Sequence, residues 1–490
     1  MLSSEIRTRR RVAVHRGDAV YPRHSPFHPD AAYPESPFAG AVGTELNPAY
    51  AGVRGAFHLL GLDPERFGTP AWNPLGELIR PGAFVLLKPN MIRESHLGRP
   101  GEWEQIITHG SVVRAVLDYV VIALGGSGRV LIADAPQTDS HFEAIAERMG
   151  LPGILGFYRE RSPVAIAVAD LRSQRWTSRD GVIMERSVAS GDPLGTTEVD
   201  LGRMSSFHGL DGRVYYGADY DIAETNRHHH GDRHAYMFST SALAADVVVN
   251  LPKLKTHKKC GVTLSLKNLV GLNGDKNWLP HYALGAPETG GDQYPAAAGR
   301  AGLEMRLLNR WKPYLPQSSR PVLEAARLLK RLGARVFGDT EEVVRSGNWH
   351  GNDTTWRMAL DLAKILLYAR PDGSLTTIPR NGYLSVIDGL VGGDGNGPMS
   401  ADRKPCGLIV AGGNPAAVDW VAARLMGFDP GRLKVVSEAF AERRLPIADF
   451  SPDAIDLRST IPLPGILGDS RDRFLDFRPH FGWAGAIERR

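Results

Sequence analysis

The segment FVLLKPN from Phe84 to Asn90, followed by SVVRAVLDYVVIALGGSGRVLIAD from Ser111 to Asp134, decides the fold class. Residues 84–87 are a short apolar run of buried-strand type. Residues 111–125 are apolar with helical spacing, and residues 130–132 are a second strand run. Strand, helix, strand in that order is a βαβ unit, which sets two parallel strands in one sheet. Strand runs recur at 246–251, 384–387 and 408–411, each followed by a glycine-rich or proline-marked turn. The expected fold is therefore α/β, a mostly parallel sheet with flanking helices. Near the end, Asn414-Pro415 is a helix start, a capping residue before proline at the first helical position. Gly427 is the matching stop, which puts Asp419 in the early turns.

Outside this framework the pattern changes. Residues 1–80 carry many prolines, glycines and aromatics with short apolar runs, so they read as an irregular N-terminal arm without a core of its own. The α/β core then occupies 81–279 and 371–440. Between them, 280–370 reads as a helical insertion or lid, with helices over 322–332 and 354–368, the second capped by Asp353. Residues 441–490 read as a C-terminal extension.

Composition excludes several classes. Of 490 residues 42% are hydrophobic and 23% charged, which is ordinary for a globular protein and not for a disordered or fibrous one. The net charge of +4 is too small to predict nucleic-acid binding. Only Cys260 and Cys406 are present, too few for a disulfide framework, a four-cysteine zinc site or a cysteine-ligated iron–sulfur cluster in this chain. No stretch is apolar enough to span a membrane, and the first residues, MLSSEIRTRRR, lack a signal-type apolar core. The chain reads as soluble and cytoplasmic.

The chemistry concentrates in DVVVNLPKLKTHKKCGVTLSLKNLVGLNGD, residues 246–275. If the chain stays extended past Pro252, a period of two puts Lys253, Lys255 and His257 on one face. Like charges held together lower the pKa of at least one lysine unless an anion lies between them. Such a row either clamps an anionic group or supplies a neutral amine as base or nucleophile; the alternative is a solvated basic strand edge. Lys267 and Asn268 follow Ser265, while Gly271 and Gly274 let backbone approach a ligand.

The run NLPKLKTH from Asn250 to His257, followed by TLSLKNLVG from Thr263 to Gly271, resembles the hallmark of the family called domain of unknown function 362. Lys88-Pro89-Asn90, Thr108-His109, Asp134, Asp388-Gly389, Gly395-Asn396-Gly397-Pro398 and Asn414-Pro415 with Asp419 agree with it. The resemblance spans roughly residues 84–427. It supplies no reaction. Some members resemble iron–sulfur proteins with added ferredoxin-type cysteines, which this sequence lacks. The stretch GNWHGNDTTWR from Gly347 to Arg357 resembles a longer subgroup associated with bacterial surface-polysaccharide gene sets.

Other groups are candidates in their own right. His228, His230, Asp232 and His234, with His229 beside them, share one face of an extended chain and are ligand types for zinc, manganese or iron. Arg233 stands where a metallo-β-lactamase would need histidine, and polar turn-capping is the alternative. Asp134, Asp388, Asp394 and Asp419 fall just beyond strands or in the first turns of a helix, where a magnesium or manganese ion could sit, although aspartate is also common at helix starts and turns. The loop 392–398 can offer backbone N–H groups of Gly395, Asn396 and Gly397 to an anion, or be a tight turn. His109, at a helix start, is held neutral by the helix dipole, as a base or as a capping residue.

The combined expectation is an enzyme with a small anionic substrate, phosphorylated or carboxylated, bound by Lys88, Asn90, Asn250, Lys253 and Asn268. Lys255, His257, Lys267 and His109 are the proton-moving or charge-stabilising groups. A divalent metal at Asp134, Asp388 and Asp419 would assist. The alternative is a non-catalytic accessory protein that carries a metal or an anionic cofactor.

Overall fold

A computed structural model describes residues 9–179, 182–219, 221–296, 343–380, 382–463 and 474–489. Its centre is a ten-stranded sheet. In chain order the strands are β1 (Arg11–Arg16), β2 (Phe84–Pro89), β3 (Arg129–Asp134), β4 (Ala165–Asp170) and β5 (Val247–Leu251). Then come β6 (Lys253–His257), β7 (Gly261–Thr263), β8 (Tyr383–Asn396), β9 (Ser400–Gly412) and β10 (Asp456–Ser459). The order across the sheet is β10-β1-β9-β8-β5-β2-β3-β4, with β6 paired to β8 and β7. From β8 to β4 every neighbouring pair is parallel; β9 runs antiparallel to both β8 and β1.

Alternate residues of each central strand enter different cores. Phe84, Leu86 and Leu131 face one hydrophobic cluster, while Val85, Leu87, Val130 and Ile132 face the other. All six residues of β2 are buried, as expected of a parallel strand covered on both faces. Helices α1 (Pro48–Leu59) and α2 (Gly110–Leu124) cover one side. On the other lie α3 (Ser265–Asn268), α4 (Thr355–Tyr368) and α5 (Pro415–Met426). The expected α/β class is the fold observed.

Local chemistry sets the helix ends. His109 Nδ1 accepts the Ser111 N–H at the start of α2, and Gly125 ends it with φ 58°, a left-handed value that favours glycine. Asn414 Oδ1 accepts the N–H groups of Ala416 and Ala417, and Gly427 closes α5, as the sequence predicts.

Four expectations need correction. The N-terminal segment is not an irregular arm on a finished domain: β1 lies inside the sheet between β9 and β10, and Val53, Phe57, Trp72 and Ile79 are fully buried. Helix α4 is no surface lid, because Met358, Leu362 and Ile365 are buried in the core; residues 322–332 lie outside the described residues. Asp353 does not cap α4. Asn352 Oδ1 takes the Thr354 and Thr355 N–H groups, while Asp353 pairs with Arg213, Arg357 and Lys434. The glycine-rich stretch from residue 392 is strand and hairpin, Gly393 to Asn396 pairing with Arg403 to Ser400.

Candidate functional site

The strand ends set the frame. Strands β2, β3 and β5 are parallel and finish side by side, so the residues at their carboxyl ends are gathered where open α/β sheets hold ligands. Lys88, at the end of β2, places Nζ 2.8 Å from Asp134 Oδ1 at the end of β3, and Asp134 Oδ2 accepts the Met91 N–H at 2.7 Å. Gly271 makes this possible: a Cβ there would lie 1.5 Å from Asp134 Oδ1. The glycine serves the packing of an ion pair.

Lys253 has a second carboxylate. Its Nζ donates to Asp388 Oδ2 at 2.8 Å and to the Tyr21 hydroxyl at 2.8 Å, both ion-pair partners being fully buried. Tyr21 in turn donates to Asp388 Oδ1 at 2.5 Å and accepts the Val391 N–H. The His109 N–H also donates to Asp388, and its ring stacks on Tyr21 with centroids 4.0 Å apart. Burial holds His109 neutral. With Nδ1 spent on Ser111, its observed work is capping and packing.

Lys255 differs. It is fully buried, and Nζ donates to the Ile106 carbonyl at 2.5 Å and to Asn90 Oδ1 at 3.2 Å. Among the described residues no carboxylate lies within 4.0 Å of Lys255, Lys267 or Lys276. Burial pushes the Lys255 ammonium well below its ordinary range, with Lys253 the next cause. Desolvation, more than the repulsion between like charges that the spacing suggests, is therefore dominant. Lys267 is lowered mainly by burial, and Lys276 to about 8.

A chain of amides fixes this group. Asn90 Nδ2 donates to Asn268 Oδ1 at 2.9 Å, and Asn268 Nδ2 donates to Asn250 Oδ1 at 2.7 Å. Asn250 Nδ2 then donates to the Ser265 carbonyl at 2.9 Å. Because Asn90 spends its amide on Asn268, its carbonyl must accept from Lys255. Two of the three valences at Lys255 Nζ are thus committed to acceptors. The third carries a proton in the ammonium and a lone pair in the amine.

His257, at the end of β6, accepts the Lys259 N–H on Nδ1 at 3.0 Å. Burial first, then the Lys267 charge, lowers its pKa well below the usual value. The sequence reading passed over three members of this neighbourhood: Tyr21, Lys276 and His281. Tyr21 carries no sequence signal. Lys276 and His281 follow the motif within a few residues but match no spacing rule.

The metal candidates do not converge. Asp134 and Asp388 are occupied by lysines and backbone N–H groups, and Asp419 accepts the N–H groups of Ser265 and Leu266 at the start of α3. Burial raises Asp419 to about 7. Asp394 binds Arg478. His228 stacks on Trp278 and meets Glu224, His230 is exposed, and His234 packs on Phe207. Among the described residues no three histidine, cysteine or acidic side chains gather as a metal would need. His229, His230 and His234 border a cavity of about 420 Å³ with Tyr215 and Ile222, and none of the lysines lines it.

The backbone N–H groups at Gly395 and Gly397 are also spent, on the Arg478 and Gly395 carbonyls. A Cβ at Gly397 would lie 2.1 Å from the Thr256 carbonyl oxygen, so this glycine lets the hairpin pack on β6. Asn396 Oδ1 faces the Phe481 N–H at 3.5 Å. An anion loop at 395–397 is not what these groups form.

Fold and site together define a parallel α/β protein whose strand ends enclose a lysine- and asparagine-rich polar core. The profile of the family described as "Domain of unknown function (DUF362)" matches residues 182–424, the stretch that holds most of the motifs named above. Lys88, Asn90, His109 and Asp134 precede the matched segment. A thylakoid-associated protein of Synechocystis sp. is 23% identical over 389 residues, covering 79% of this chain and 74% of the relative. Among the described residues no helix is long and apolar enough to cross a membrane.

Proposed function

We propose that the chain is an enzyme acting on a small phosphorylated or carboxylated metabolite bound at the ends of β2, β5 and β6. One observation carries the reading: Lys88 and Lys253 each have a buried carboxylate, whereas Lys255, Lys267 and Lys276 have none among the described residues. An uncompensated ammonium in a buried place costs several kcal/mol, and an anionic group arriving with the substrate offsets that cost. Lys267 and Lys276 then hold the anion, and Lys255 or His257 moves a proton.

A cytoplasmic site of action belongs to the same reading, in keeping with two free, buried cysteines. A divalent metal, if used, would enter with the substrate's anionic group, since the nearby carboxylates are already engaged.

The test is thermal unfolding of the full chain against inorganic phosphate, sugar phosphates and carboxylates, each with and without magnesium, manganese or zinc. An anion at about 100 times its Kd adds about 2.7 kcal/mol of stability, and Lys267→Met should abolish the shift. Stabilisation by no anion would overturn the reading. A tight ligand without turnover would favour the carrier of an anionic cofactor instead.

A further inference from the structure

Two histidines that feel the Lys267 charge are fixed in opposite tautomers. His257 Nδ1 accepts the Lys259 N–H, so the ring proton of the neutral imidazole sits on Nε2. His281 Nδ1 faces the Leu279 carbonyl at 2.9 Å, and a carbonyl only accepts, so the proton sits on Nδ1 and Nε2 keeps its lone pair. Among the described residues neither Nε2 has a protein partner within hydrogen-bonding distance, and neither is among the sealed polar atoms that lack one.

The fold brings together the separate segments that carry Lys267 and His281. Helix α4 packs against both α3, which carries Lys267, and the strand Pro280–Ala283, which carries His281. Lys259, two residues past His257, places Nζ 4.6 Å from the Tyr282 ring centroid. Lys267 is the strongest charge acting on both imidazoles. Lys255 and Lys258 also face His257, and Lys259 and Lys276 face His281. The His281 carbonyl accepts from Asn352 Nδ2 at 3.0 Å and from Thr355 Oγ1 at 2.7 Å. The segment 347–357, singled out in the sequence, thus anchors the backbone at His281.

We propose that His281 and His257 form a base and neutral-donor pair around the anion held by Lys267, suited to enolising a carbonyl compound that bears a phosphate or carboxylate. His281 Nε2 takes a proton from the carbon beside the carbonyl. The C–H electron pair becomes the new C=C bond, and the carbonyl pair moves to oxygen. His257 Nε2–H and the Lys267 charge stabilise that oxyanion, the arrangement in which a neutral imidazole serves as electrophile. The proton then returns from His281 to the same carbon or, where that carbon bears a hydroxyl, to the former carbonyl carbon, with the hydroxyl proton passing to the oxyanion as the hydroxyl becomes the new carbonyl. The net change is isomerisation or hydrogen exchange, and no oxidant or reductant is consumed.

This inference rests on the proposed anion site, and its test separates the two. Nitrogen-15 histidine spectra of the full chain, assigned with His257→Gln and His281→Gln, should show His257 protonated on Nε2 and His281 on Nδ1. Both rings should stay neutral from pH 8 to 6. Either ring in the other tautomer, or titrating near 6.5, overturns the pair whether or not phosphate binds. With 2-oxo acids and hydroxyketone phosphates in D2O, the chain should place deuterium beside the carbonyl. His281→Gln should slow this at least about 100-fold while phosphate still stabilises the variant. Undiminished exchange in that variant, or no exchange by a wild-type chain that binds phosphate, overturns the pair and leaves the anion site standing. Correct tautomers with no phosphate response overturn the anion site, and the enolisation with it.

Discussion

At the scale of single residues, burial separates lysines that look alike in the sequence. Lys253 and Lys255 are two positions apart on one strand, yet one meets Asp388 and the other meets two carbonyl oxygens. For Lys255 the folded pKa is depressed below its unfolded value near 10.5, chiefly by desolvation. The unfolded chain therefore binds more protons between those two values, and wild-type stability rises with pH through that window. Lys255→Met cannot titrate. Its stability relative to wild type is expected to fall as pH rises from neutral toward 10.5, read from urea midpoints at several pH values. A difference that stays flat across that range would mean Lys255 is not strained by burial. The face shared by Lys253, Lys255 and His257 was legible from the strand period. The partners that Lys253 and Lys255 find were not, because they come from residues 135 to 232 positions away.

At the scale of elements, the segment before β2 does more than decorate the fold. Tyr21 sits between β1 and α1, and its hydroxyl joins Asp388, Lys253 and the Val391 N–H. Tyr21→Phe keeps the ring stacked on His109 but leaves a buried N–H and part of a carboxylate without their partner. A loss of about 1–3 kcal/mol is expected, measured as a lower denaturant midpoint with unchanged slope. Stability within about 0.5 kcal/mol of wild type would show that water replaces the hydroxyl at no cost. Helix α2 was readable from its apolar spacing, and α5 from its Asn414-Pro415 start and Gly427 stop, because these signals are local chemistry. Residues 392–398 misled because glycines that suit an anion loop equally suit a strand packed tightly on β6.

At the scale of the whole molecule, both ends of the chain close the sheet. Strand β1 hydrogen-bonds to β9 on one side and to β10 on the other, so residues 11–16 tie residues 400–412 to residues 456–459. Deleting residues 1–20 would strip the interior strand and strand β10. Such a chain is expected to be insoluble or rapidly cleaved by trypsin under conditions that leave the intact chain whole. A truncated protein as resistant as the intact one would restore the reading of this segment as a dispensable arm.

By itself the sequence determined the α/β class, the central strands, two helices, the start and stop of one of them, the family resemblance, and the motif that bears the lysines. Each of these follows from neighbours along the chain: apolar period, capping residues and short contiguous motifs. Only the tertiary structure decided which lysines are neutralised, that the aspartates serve ion pairs and backbone N–H groups, and that the Lys267 charge acts on both His257 and His281. Charge state and tautomer depend on burial and on hydrogen-bond partners brought from distant segments, and no local period in the sequence encodes those.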